Sequence, residues 1–419
     1  MILKARGPAP TLRGGAGAAA TFAANLPARP IVMTTTEQLP APGVRLPGLD
    51  HLRALAIGQV LLFHYRIFAH PAWLTTAGQF GWTGVDLFFV LSGYLIAAQL
   101  FRELSRRGRL SLAGYFIKRT FRILPAYLVV VALYFGVPAF REREALPPLW
   151  KFLTFTQNFG LDLQVGGTFS HAWSLCVEEQ FYLLLPLGLL ALAPGRRGRW
   201  TAAALPALLA LGFGARLLSW YGAVAPQLGT EHAVLAWYKY LYYPTYNRLD
   251  GLLMGIAIAA LFHFRPQAAA RLARHGNGLA LLGAAVLAGA FWMCREPREF
   301  GASIVGFPLV ALGYGLLTVA AISPGSVLHR TASRVSAKVA ALSFAIYLTH
   351  KGIIHLTQEW FSAHGIGLES NAMLLLCLAT VLAGAWLLHT AVEKPFLQLR
   401  QRLLARRRTV VPVARAEVA

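Results

Sequence analysis

A chain of 419 residues that is 56% apolar, with a mean hydropathy of +0.53, carries more apolar surface than one soluble core buries, which excludes an ordinary soluble enzyme. Lys and Arg outnumber Asp and Glu by 39 to 17, yet the basic residues are sorted by position along the chain, so nucleic-acid binding is not expected. Cys176, Cys294 and Cys377 offer neither a disulfide framework nor zinc spacing, and no metal site is expected.

Residues 1–45 are rich in Ala, Gly, Pro and Thr and contain no secretory apolar run, which reads as a disordered cytoplasmic tail, with Met33 a second candidate start of translation. Residues 46–396 form one membrane domain. Apolar runs of about 20 residues predict ten helical spans, near 50–69, 80–101, 122–140, 174–193, 201–220, 246–264, 277–294, 302–322, 337–359 and 371–391. Pro395 is expected to stop the last of them, and residues 397–419 read as a basic cytoplasmic tail too short and polar to fold as a soluble catalytic domain. If the N-terminus lies inside, cytoplasmic segments hold 28 of the 39 Lys and Arg, outward loops hold 8 and spans hold 3. This positive-inside bias predicts an N-in, C-in all-α bundle, with anionic lipid headgroups the default partner of the basic excess.

The first span contains an Arg-x10-His pair, Arg53 and His64. Eleven residues make three helical turns plus about 20°, so both side chains share one face about 16 Å apart along the axis. An imidazole at that depth is a functional candidate, since ionisable groups cost several kcal/mol in hydrocarbon. His64 is the leading catalytic residue, either as the base that takes a hydroxyl proton or as a covalent acyl carrier. Asp86, Glu178, Arg248 with Asp250, and His350 all fall at a similar outer depth and converge only if the helices surround a polar cavity. Glu178 is expected to orient or charge-balance His64 as a carboxylate holds a catalytic imidazole. Asp86, the Arg248/Asp250 pair and His350 are supporting candidates, and structural bridges would account for the charged ones equally well. Arg119 and Arg122 share a face where the third span opens, suited either to phosphate oxygens or to fixing topology. The aromatic cluster at 237–246 reads first as an interface belt and second as a sugar-stacking surface.

Several ordered segments give the chain a resemblance: the Arg-x10-His pair, GVDLFFVLSGYLI (84–96), KRTFRILPAY (118–127), HAWSLCVEEQFYLLLP (171–186), NRLDGLLMG (247–255), LSFAIYLTH (342–350) and VEKPF (392–396). From Leu49 to Pro395 the sequence resembles the acyltransferase-3 family of membrane acyltransferases, with Cys176 and Gly251 standing where Ala is commoner. The resemblance implies transfer of an acyl group, often acetyl, from cytoplasmic acyl-coenzyme A to a hydroxyl presented outside, in a multi-pass protein of a bacterial inner membrane. It implies that Arg119 and Arg122, with Arg53, hold the donor's phosphates, and that the acceptor is a carbohydrate or another hydroxyl compound. Acyl-coenzyme A is then a substrate, and no resident cofactor is expected. A proton-coupled transporter or flippase is the rival, because it too places His, Asp and Glu inside a bundle.

Overall fold

A computed structural model describes residues 46–191 and 197–409. The tail of residues 1–45, the Met33 start and the last ten residues of the basic tail lie outside the described residues. Helix α1 (Pro47–Tyr65) opens with proline in its first turn, where a missing N–H costs nothing. Helix α2 (Gly84–Arg107) ends at Gly108, whose φ of 65° lets its N–H reach back to the Leu104 carbonyl. The chain reverses there into α3 (Leu112–Gly136), capped by the Ser111 hydroxyl, which accepts from the Gly114 N–H at 3.2 Å.

A connection of short helices and turns leads from Pro138 to Ala172, followed by α4 (Trp173–Ala191) and α5 (Arg197–Ser219). Two π-helical turns, Trp220–Val224 and Trp237–Tyr242, precede α6 (Asp250–Phe264), which bends by 110° into α7 (Pro266–Ala273). Then come α8 (Gly276–Met293), α9 (Phe307–Ile322), α10 (Arg334–Ala363), α11 (Asn371–Leu388) and, across the π-helical turn His389–Glu393, α12 (Lys394–Thr409). The described residues form no strand.

Each of the ten predicted spans coincides with a helix. Among the described residues, seven helical stretches are long and apolar enough to cross a membrane, and an eighth if the bent α6–α7 pair is one span. The protein is thus a multi-pass membrane protein. Helices α1 and α3 fall outside the seven and are the ones interrupted by Asp50, Arg53 and His64, and by Lys118, Arg119 and Arg122.

The expected stop at Pro395 is corrected by the structure. The helical stretch that begins at Asn371 runs on through the π-helical turn His389–Glu393 and past Pro395 to Thr409. Pro395 directly follows the wider turn, where the regular hydrogen-bond ladder is already interrupted.

Helices α2, α9 and α10 are largely buried, whereas α5 and α8 turn most of their surface outward, with Leu211, Leu218, Leu281 and Trp292 exposed as lipid-facing residues would be. Helix α1 packs against α10 and α2, and α6 lies along α2. Small residues allow that last approach: a Cβ on Gly255 would collide with the Val90 carbonyl and the Tyr94 nitrogen, and one on Gly93 with the Leu252 carbonyl. With Gly251 one turn before Gly255, α6 presents a Gly-x-x-x-Gly face to α2.

Candidate active site

Two cavities lie along α1. The first, of about 170 Å³, is lined by Arg53 from α1, Arg119 and Arg122 from α3, Ser92 from α2 and Glu178 from α4. Arg119 lies over the Tyr182 ring at 5.5 Å and donates to Gln99 Oε1 at 3.4 Å, while its buried Nε has no partner. Arg122 donates to Glu393 Oε2 at 3.0 Å, an oxygen that also meets His389 Nδ1 at 3.0 Å, so the π-helical turn after α11 supplies the acid that steadies this guanidinium. The structure brings the three sequence-predicted arginines to one cavity.

Glu178 lies there too, and its expected pairing with His64 is not what the structure holds. Its Oε1 accepts from the Ser92 hydroxyl at 2.8 Å and its Oε2 from the Tyr182 hydroxyl at 3.1 Å. The reason is register. The segment reaches the depth of His64 at His171, before α4 begins, and Glu178 follows two turns, about 10 Å, further along.

The second cavity, of about 120 Å³, is lined by His64, His171, Lys351 and the aromatic side chains of Trp82, Trp173, Tyr238, Tyr242 and Tyr243. His350 stands behind His64. Its Nδ1 faces the Tyr347 carbonyl at 2.8 Å and the Ile346 carbonyl at 3.1 Å, which makes that nitrogen the donor and leaves Nε2 to accept. Nδ1–H of His64 therefore donates to His350 Nε2 at 3.0 Å, and Nε2 of His64 keeps its lone pair. The expected carboxylate behind the imidazole is replaced by a neutral histidine fixed by backbone carbonyls.

His171 was missed by the sequence reading. Its ring centroid is 4.7 Å from that of His350 and 5.7 Å from that of His64, and neither of its buried nitrogens has a partner among the described residues. Its position at the head of the HAWSL segment was the available signal. Lys351, counted only as an intramembrane charge, pairs with Glu142 at 2.8 Å and donates to Ser170 Oγ at 3.3 Å. Burial pushes the Glu142 carboxyl up, but the Lys351 ammonium and the Phe169 N–H outweigh burial and hold it below its ordinary value.

A single layer separates the cavities. Tyr347 and Ser174 share a hydrogen bond of 2.7 Å and line the arginine cavity, and the Tyr347 hydroxyl also donates to the carbonyl of His171, which lines the other.

The remaining charged candidates support the walls. Arg248 donates to Asp86 at 2.8 Å and lies over the rings of Phe307, Tyr242 and Trp173 at 4.2, 4.5 and 5.2 Å. Asp250 accepts two bonds from Arg216, at 2.7 and 3.0 Å. Arg248 and Asp250 thus do not pair with each other, because Arg248 lies in the turn before α6 and Asp250 in its first residue. No group of three or more His, Cys, Asp or Glu among the described residues is arranged to hold a metal ion.

Two cavities thus lie in one helical membrane bundle, one lined by three arginines and one built around an imidazole with a free lone pair. Comparison with known proteins supplies the family: the profile described as "Acyltransferase domain" matches residues 46–390, and the chain belongs to this acyltransferase family, Acyl_transf_3. It is 25% identical over 333 residues to O-acetyltransferase OatA of Staphylococcus aureus strain NCTC 8325 / PS 47, and equally to that of strain COL, an alignment covering 75% of this chain and 52% of each relative. The chain therefore spans about half the length of the curated relatives it matches. No solved structure matches it.

Proposed function

We propose that the protein is an O-acyltransferase that carries an acyl group, acetyl in the first instance, from cytoplasmic acyl-coenzyme A to a hydroxyl of an extracytoplasmic glycan. The relatives are named as O-acetyltransferases, which supports acetyl as the group. The proposal takes the bundle as ten spans of an inner membrane, N-in and C-in, which the charge bias supports.

One observation carries the reading: the arginine cavity and the histidine cavity share helix α1 and meet at the Tyr347–Ser174 layer. Arg53, Arg119 and Arg122 hold the phosphates of the coenzyme, since guanidinium forks suit phosphate oxygens. The extended pantetheine arm then brings the thioester past the layer to His64. Nε2 of His64 takes the proton of the acceptor hydroxyl, whose oxygen bonds to the acyl carbon as the carbon–sulfur bond breaks and the thiolate recovers the proton. The same lone pair can accept the acyl group first, giving an acyl-histidine that the acceptor discharges. In this reading Glu178 has its role at the donor cavity, with Ser92 and Tyr182.

The test is transfer of label from radiolabelled acetyl-coenzyme A into the cell-surface glycan fraction of deletion cells carrying wild type or His64→Ala at equal membrane abundance. Label with wild type and at least about 100-fold less with His64→Ala is the expected result. Equal label removes His64 from the mechanism, and no label with either protein turns attention to transport.

A further inference from the structure

Lys351 is buried, with 3% of its side chain exposed, and so is Glu142 at 2%. A buried ion pair is a poor source of stability, since desolving both charges offsets most of their attraction, and apolar side chains of the same size often do as well. Its position in the chain is more telling. Lys351 follows His350 directly on α10, and its side chain lines the same cavity as His64. An ammonium has three donors. One goes to Glu142 Oε1 and one to Ser170 Oγ, so among the described residues a third N–H remains beside the cavity.

The connection between α3 and α4 is folded inward to hold this arrangement. Glu142 Oε1 also accepts from the Phe169 N–H at 3.1 Å, and Phe169, wholly buried, is held at φ 54°, a left-handed conformation that costs a bulky residue energy and persists only where its surroundings impose it. Phe169 leads into Ser170 and His171, so one carboxylate fixes the ammonium, its hydroxyl neighbour and the entry to the third histidine.

Resting on the acyl-transfer reading, we propose that Lys351 is a catalytic residue that stabilises the oxyanion of the acyl-transfer intermediate, with Glu142 its positioning residue. As the acceptor oxygen bonds to the thioester carbon, the carbonyl π pair moves onto oxygen and the hydroxyl proton moves to Nε2 of His64. The free N–H of Lys351 binds that oxygen. Collapse restores the carbonyl, breaks the carbon–sulfur bond and releases a thiolate, which takes the proton from His64. A fixed cation in a water-poor cavity does this without reorganising solvent.

The experiment uses inverted membrane vesicles from deletion cells, carrying the full chain and the cells' own acceptor, with radiolabelled acetyl-coenzyme A added outside. Folded protein is counted by fluorescence-detected size exclusion. Lys351→Met is expected to lower kcat per folded molecule by about 100-fold with KM for acetyl-coenzyme A unchanged, and Lys351→Arg, which keeps a cation, to recover about tenfold of that loss. A structural role would lower the amount of folded protein and leave kcat per folded molecule as in wild type, which overturns the inference. Should Lys351→Met fail to accumulate, Lys351→Ala is assayed with added ethylammonium, where a rate rising with amine supports the role and a flat rate overturns it. Absence of transfer by wild type itself sinks the acyl-transfer reading, and this inference with it.

Discussion

In the proposed reaction His64 acts through what stands behind it. His350 is pinned by two backbone carbonyls, and this alone decides which nitrogen of His64 carries a proton and which is free. His350→Phe keeps the ring volume and removes the acceptor, so His64 can turn or change tautomer; kcat is expected to fall about 10- to 100-fold in the vesicle assay while KM for acetyl-coenzyme A stays put, because the arginine cavity is untouched. Glu142 gives a pH dependence of stability. Its carboxyl is held below the ordinary value in the fold, so its contribution is present above the ordinary carboxylate range and is lost as pH falls into that range and beyond. The thermal midpoint of detergent-solubilised wild type is expected to drop on acidification more steeply than that of Glu142→Gln, and parallel curves would deny Glu142 this role. The alignment of Arg53 with His64 was legible because helical geometry is local. The partner of His64 was not, since a carboxylate two turns too deep and a histidine on another helix are distinguished only by where α4 begins. Lys351 went unread for the same reason, its acid being distant in the sequence.

Helices α2 and α6 approach each other closely along several turns. The Gly251/Gly255 face of α6 rests directly on the α2 backbone near Val90 and Gly93, and this contact holds Arg248 and Asp86 at the head of both helices. Gly255→Leu would drive a side chain into the Val90 carbonyl; a loss of more than about 2 kcal/mol is expected, read as a lower thermal midpoint and less folded protein in the membrane, whereas Gly58→Leu, at a position where a Cβ meets nothing, should be tolerated. Nearly all helices were legible from apolar runs. Helices α7 and α12 were not, the one being only 8 residues long and the other rich in Arg. Around Pro395 the sequence reads as a stop, yet a π-helical turn just before it lets the helix continue, with Glu393 turned inward to Arg122 and proline following the widened turn.

At the scale of the molecule, the two long helices that fall outside the candidate spans, α1 and α3, are those to which the proposed reaction assigns most of its charged groups. Helix α1 carries Arg53 and His64 and α3 carries Arg119 and Arg122, each spending apolar positions on groups that line the cavities, while α5 and α8 are outwardly apolar, α5 turning Arg216 inward to Asp250. The thin layer formed by Tyr347, Ser174 and the His171 carbonyl has a consequence for the cell as well as for the reaction. A bundle with a polar hollow on each side of so thin a layer is close to being a leak, and in a membrane held at a voltage an open hollow lined with arginine and histidine would let protons or chloride run down their gradients. Tyr347→Ala is expected to make proteoliposomes permeable enough to collapse an imposed pH gradient, reported by an entrapped pH-sensitive dye, whereas wild type should hold the gradient as empty liposomes do. On the proposed acyl-transfer reading, an acyl chain slim enough to displace that layer could pass through electrically sealed protein, and the cell could modify its exterior without discharging the battery that powers it.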